Sequence, residues 1–251
     1  MLKSLIIAFH TYSRIPMPTV EWDDKSMKNA ICFFPCVGIV IGFLELVLVH
    51  LATKFNILFI LKGALCSVLP IFITGGIHMD GFCDTTDALS SYQPRERKLE
   101  ILKDSNAGAF AIIYAVVWFI LYFASWCCIK TLDACLAVSI GFVMSRALSA
   151  FGVAIFKQAR DKGMLKSYAD KSDKAALKIA MIIVIAVCIV CLVLFAKVLG
   201  IAVVIAQLLS FLYYKYRAYK EFGGITGDTA GWFLQIAELT SVMVVAILSE
   251  L

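Results

Sequence analysis

Charge is what this sequence has least of. Asp, Glu, Lys and Arg make up 16% of its 251 residues, 61% are hydrophobic, and the mean hydropathy is +0.89. That balance excludes an ordinary water-soluble domain. Alternation of apolar and polar residues is also missing, which excludes a membrane β-barrel. The apolar residues run instead in unbroken stretches of about 16 to 23, the length at which a helix crosses a hydrocarbon core of about 30 Å. Despite a net charge of +5, no long basic run with interleaved aromatics occurs, so no nucleic acid partner is expected. The nine cysteines form no disulfide framework. Cys188 and Cys191 have C-x-x-C spacing but lie inside an apolar run, where they read as small hydrophobes. Neither a P-loop nor a dinucleotide fingerprint is present. The apolar run from Leu5 to Phe9 is too short for a secretory signal, and no small-residue cleavage site follows it.

What is there reads as all-α: a polytopic integral membrane helix bundle of about seven transmembrane spans, forming one catalytic domain over 1–251. The expected spans are 31–51, 57–77, 108–128, 134–156, 179–196, 199–214 and 232–248. Residues 1–30 begin with a short amphipathic piece; Pro16 and Pro18 then argue against a helix, and the segment reads as interfacial. Polar loops are expected at 78–107, 157–178 and 215–230. Of the 23 Lys and Arg, eighteen fall in 1–30 and those three loops, while the opposite loops hold only Lys54, Lys130 and Lys197. Positive residues collect in the cytoplasm. The N-terminus and all three polar loops are therefore expected inside, and the C-terminus outside.

Three carboxylates crowd the end of the second expected span. In Gly75-Gly76-Ile77-His78-Met79-Asp80-Gly81-Phe82-Cys83-Asp84-Thr85-Thr86-Asp87, the acids sit at i, i+4 and i+7. At about 100° per residue a helix would hold Asp80, Asp84 and Asp87 within roughly 60° of one another. Anions so close repel unless a cation lies between them. Mg²⁺ suits such a place, because it takes carboxylate oxygens together with phosphate oxygens of a substrate. Taken alone, the stretch would also suit a solvated acidic turn with Asp80 as an N-cap.

Further acids, Asp104 and Asp228, lie beside glycines at other span boundaries on the same face. Asp80, Asp84, Asp87 and Asp104 are the candidate metal ligands. Gly81, Gly108, Gly224 and Gly227 are candidates for close backbone approach to a substrate, with Lys103 and Arg146 as candidate phosphate-binding cations. Acids, glycines and cations of this kind make up the equipment of phosphoryl transfer. Four ionisable residues fall inside the spans: Glu45, Lys62, Arg146 and Glu238. Lys62 reads as snorkelling from a span end. Arg146 lies deep, where it either pairs with an acid such as Glu238 or points into a polar cavity. Glu45 and His50 read as structural.

The segment from Gly75 to Asp87, then Arg95-Glu96-Arg97, then Lys103-Asp104-Ser105-Asn106-Ala107-Gly108-Ala109-Phe110, resembles the cobalamin synthase family of adenosylcobinamide-GDP ribazoletransferases. The likeness continues in Thr11 to Pro18, Phe34-Pro35-Cys36-Val37-Gly38, Ser145-Arg146 and Gly223-Gly224-Ile225-Thr226-Gly227-Asp228, so it covers nearly the whole chain in order. Cys83 departs from it, standing where a small apolar residue is usual. The resemblance implies a Mg²⁺-dependent enzyme of late vitamin B12 synthesis, multi-pass in the bacterial cytoplasmic membrane and in contact with membrane lipid. It implies two substrates, adenosylcobinamide-GDP and α-ribazole or its 5′-phosphate, with GMP released. Asp87, Asp228 and His78 are then the three candidates for the group that takes the hydroxyl proton. A homo-oligomer is left open. The aspartates are also similar to those of CDP-alcohol phosphotransferases, whose acid spacing is longer and whose Ala-Arg pair is absent. A third reading is an ion-coupled transporter using Glu45, Arg146 and Glu238, but the acids cluster at one face rather than at mid-membrane.

Overall fold

The computed structural model describes residues 1–104, 106–160 and 173–250. The chain opens with α1 (Leu2–Tyr12) and α2 (Asp24–Ala30), joined by the proline-bearing segment 13–23. The expected interfacial segment therefore holds two short helices, with the non-helical stretch confined to the region of the prolines. A 3₁₀ turn leads into α3 (Phe34–Lys54), followed by α4 (Phe59–Thr74), α5 (Ile77–Ser90), α6 (Arg95–Ile101) and α7 (Ala109–Cys128). Then come α8 (Leu132–Ile155), α9 (Lys174–Arg217), a π-helical turn (Ala218–Phe222) and α10 (Gly227–Ser249). The middle of the loop expected at 157–178 lies outside the described residues.

Helix α8 is the hub, packed against α3, α9 and α10. Small residues make this close packing feasible. Gly38 and Gly42 of α3 are four apart on one face, and a methyl group added to either would lie 2.4 Å from the Phe142 carbonyl oxygen or 2.6 Å from that of Ser139. Such small-x-x-x-small seams let two backbones meet inside a membrane. By contrast, α7 presents Phe110, Ile112, Ile113, Val116, Val117 and Ile120 outward, an apolar face suited to lipid.

Five helices among the described residues are long and apolar enough to cross a membrane, and six if α4 and α5 count as one broken span. Seven were expected. The difference lies in α9, which carries both expected spans 179–196 and 199–214 and breaks at Lys197 (φ 48°, ψ −120°). A methyl group on Gly200 would lie 2.0 Å from the carbonyl oxygen of Leu192. Eight residues along a straight helix are about 12 Å apart, so the two arms fold back on each other. Both ends of α9 accordingly reach the same end of the bundle: Asp173 pairs with Lys28 at 3.5 Å, and the Tyr219 hydroxyl accepts from the Lys157 amide at 2.8 Å. The opposite end is marked by Lys62 donating to the Ile129 carbonyl and by the Lys130–Glu250 pair at 2.7 Å. This is a multi-pass membrane protein.

The chain turns sharply where its acids begin. Gly75 and Gly76 both have positive φ, 65° and 79°, a conformation that a side chain would strain. They end α4 and turn α5 through 94°. Too short to span, α5 lies across the end of the bundle and packs on α10 and α7.

Candidate active site

Two glycines fix how α5 meets α10. A methyl on Gly81 would stand 2.8 Å from the Asp228 carbonyl oxygen, and one on Gly231 would stand 3.1 Å from that of His78. Backbone thus touches backbone, and Asp228, in the first turn of α10, is drawn to the acids of α5. A capping box fixes that turn: Thr226 accepts from the Thr229 amide at 3.1 Å, and Thr229 accepts from the Thr226 amide at 2.8 Å.

The acids do gather. Burial and then the charges of Asp80, Asp228 and Asp87 push Asp84 up to about 7. Among the described residues the opposing cation is Arg160, which donates to Asp228 Oδ2 at 3.3 Å and to the Leu99 carbonyl at 2.8 Å. The sequence did not point to Arg160, one of several cations in a loop without a motif.

Not every expected ligand joins the group. Asp87 accepts the Gly108 amide on one oxygen and the Ala111 amide, at 2.9 Å, on the other. It caps the N-terminus of α7, where a carboxylate offsets the helix dipole. Asp104 stands apart and exposed, turned back on the amide of Asn106 at 3.0 Å. Beside it Lys103 is exposed and lines neither cavity described below. Arg146 is fully buried and pairs with Glu238 at 2.8 Å, so of its two expected fates the ion pair is the one found. The same guanidinium donates to the Phe142 carbonyl at 2.9 Å. Among the candidate glycines, Gly81 meets α10, Gly108 serves Asp87, and Gly224 abuts the backbone of Lys157 to Ala159. Of these four, and among the described residues, only Gly227 has open space above it.

Two cavities flank α5 and share Asp80. One, of about 220 Å³, is lined by Tyr12, Phe34 and His78 together with Asp80, Gly227 and Asp228. The other, of about 820 Å³, is lined by His10, Thr11 and residues 13–17, by Thr74 to Ile77 and by Asp80. Tyr12 and Phe34 were part of the resemblance but carried no expected role.

Among the described residues, no three His, Cys, Asp or Glu side chains converge as a preformed metal cage. Even so, the donors suit a hard cation. Mg²⁺ is commonly held by one or two carboxylates, completed by water and substrate phosphate. Asp80 and Asp84, one turn apart on the same helix, offer such a pair; burial first, and then the charges of Asp80, Asp228 and Asp87, raise the Asp84 carboxyl, and a bound cation would oppose both.

Fold and site together define a membrane-embedded helical protein with an acid-lined candidate site at one end of its bundle. Residues 4–246 match the family profile described as Cobalamin-5-phosphate synthase. The chain is 45% identical over 249 residues to an adenosylcobinamide-GDP ribazoletransferase of Lachnoclostridium phytofermentans, covering 98% of this chain and 94% of that one. Proteins of the same name in Clostridium botulinum (strain Eklund 17B) and Clostridium perfringens (strain SM101) are 34% and 30% identical, with 96% and 98% of each chain covered. No solved structure matches. The chain belongs to the cobalamin-5-phosphate synthase family.

Proposed function

We propose that this protein joins adenosylcobinamide-GDP to α-ribazole or its 5′-phosphate and releases GMP. The meeting of Asp80, Asp84 and Asp228 carries the reading: Asp80 lines both cavities and Asp228 the smaller one, which gives two substrates separate places beside one set of acids. The family's relatives bear the name of this activity.

In the proposed reaction the ribazole hydroxyl oxygen bonds to the phosphorus nearest cobinamide. The bond from that phosphorus to the bridging oxygen breaks, and GMP leaves with the electron pair. Asp228 takes the hydroxyl proton. Among the described residues, the hydrogen bonds to its carboxylate, from Arg160 and Thr226, fall on Oδ2, and Oδ1 is the oxygen offered to the acceptor. Of the other two candidates, Asp87 has both oxygens occupied by α7, and His78 is buried in a cavity wall. Asp80 and Asp84 would hold Mg²⁺, which when bound would neutralise charge on the pyrophosphate and on the departing phosphate.

The reading places the protein in the bacterial cytoplasmic membrane with the acid-bearing end inside, as the charge bias favours. The test is to incubate purified protein with both substrates and Mg²⁺ and measure GMP. One GMP released for each corrinoid joined is expected. Release without acceptor, or none with both, would overturn the assignment.

A further inference from the structure

Asp80 lines both cavities beside α5, so a phosphate entering either one meets negative charge. Lys103 and Arg146, the cations expected to bind phosphate, line neither. Arg160 lines neither, and it is already engaged by Asp228 and the Leu99 carbonyl. Among the described residues, one Lys or Arg does line the larger cavity, and it is Arg14.

The backbone around Arg14 is tied down on both sides. Its amide donates to the Ile73 carbonyl at 2.7 Å, joining the segment after α1 to the end of α4. The Ser13 hydroxyl donates to the Phe9 carbonyl at 2.7 Å and accepts from the Ile15 amide at 3.3 Å. The Arg14 side chain then crosses the glycine turn: a methyl group added to Gly75 would lie 2.6 Å from Arg14 Nε. Gly75 lines the same cavity, which locates the start of the guanidinium on that wall.

Arg14 and Asp80 are both exposed. Among the described residues, the side chain of neither makes a hydrogen bond or an ion pair. A cation and an acid thus line one cavity without closing on each other. An arginine fork presents paired N–H groups that match two oxygens of a phosphate.

We infer that Arg14 binds a phosphate group of a substrate in the larger cavity. The inference rests on the proposed reaction and supplies the phosphate-binding cation that neither Lys103 nor Arg146 provides. In that reaction the group belongs to the pyrophosphate of the donor or to the 5′-phosphate of the acceptor. Either would be held in a cavity that Asp80 also lines.

The experiment uses the purified full chain and three ligands: adenosylcobinamide-GDP, α-ribazole 5′-phosphate and α-ribazole. Arg14→Gln removes the charge and keeps part of the stem over Gly75, and its Tm should match the wild type. Each KM is measured by GMP release with the other substrate saturating. The KM for the bound phosphate compound should rise at least about tenfold, the scale of a lost hydrogen bond to a charged group. A rise for the donor with either acceptor assigns Arg14 to the pyrophosphate. A rise confined to α-ribazole 5′-phosphate assigns it to the acceptor. Phenylglyoxal labelling of the wild type, read at Arg14 by mass spectrometry, needs no variant to fold. The bound phosphate compound should protect Arg14, and α-ribazole should not. An active enzyme in which Arg14→Gln changes no KM, or in which neither phosphate compound protects Arg14, would overturn the inference and leave the reaction intact. A KM for α-ribazole that rises as much as that of its phosphate would overturn it too. A wild type that releases no GMP while a phosphate compound still protects Arg14 would overturn the reaction and keep the site.

Discussion

Arg160 grips Asp228 at 3.3 Å and, with the other arm of the same guanidinium, the carbonyl of Leu99 at 2.8 Å. The fork ties the acid that begins α10 to the end of α6, and it fixes which carboxylate oxygen faces the site. Arg160→Ala is expected to lower turnover by about 10²-fold, the scale seen when a preorganised polar group is lost. Arg160→Lys should recover little, because one ammonium cannot copy a planar fork. Single-turnover GMP release measured beside the melting temperature checks this. Full activity of the Lys variant would deny the fork a role.

Asp84 gives a pH-dependent signature. Its carboxyl is raised from 3.8 to about 7 by burial and by its acidic neighbours. An acid raised in the folded state costs no stability below its unfolded value. The cost grows from there to the folded value and is constant above it. Without divalent cations, Asp84→Asn should therefore raise Tm at about pH 8 and leave it nearly unchanged at about pH 4. Added Mg²⁺ should stabilise the wild type and not the variant. Equal Tm gains at both pH values would contradict the charge argument.

Asp87 should behave unlike its neighbours. As the cap of α7, its replacement by Ala is expected to cost about 1–2 kcal/mol of stability. Asp80→Asn and Asp84→Asn should instead abolish most activity in a stable protein. Measuring Tm and the Mg²⁺ midpoint for each variant separates the roles. An Asp87→Ala protein of normal Tm with a shifted Mg²⁺ midpoint would return Asp87 to the metal site.

Arg146 and Glu238 form a buried pair at 2.8 Å. Removing one partner strands the other charge, so Arg146→Met should destabilise by about 3–5 kcal/mol. Arg146→Met with Glu238→Leu should recover most of that loss. Unfolding in mild denaturant checks it, and additivity of the two losses would show that the pair is not coupled.

Orientation can be tested from outside the cell. Tyr92 is 91% exposed near the acids, and Lys54 is exposed at the other end of α3. With native cysteines replaced, Lys54→Cys should react with an impermeant thiol reagent on intact cells and Tyr92→Cys only after lysis. The reverse pattern would invert the protein in the membrane.

Much of this was legible in the residues. Hydropathy alone places the long apolar helices but not α5 and α6, which lie in the polar loop expected at 78–107; i, i+4 spacing alone puts Asp80 and Asp84 on one face. The same spacing includes Asp87 but cannot show that the amides it meets, those of Gly108 and Ala111, lie 21 and 24 residues on. Arg160 sits where no periodicity exists, so its value depends on a tertiary contact with Asp228, 68 residues away. The fate of Arg146 was undecided because an ion pair and a cavity both satisfy a buried cation. The span count hinged on Lys197, where a left-handed residue between two apolar runs reverses the chain without any polar loop.

The Gly81–Asp228 and Gly231–His78 contacts are between main chains, so no exchange of neighbouring side chains can widen that seam without breaking it. The seam between α5 and α10 is therefore set by main chain, and Asp80 and Asp228 keep their spacing with it. Sequence change around the acids can then retune side chains on other helices without moving one acid relative to the other.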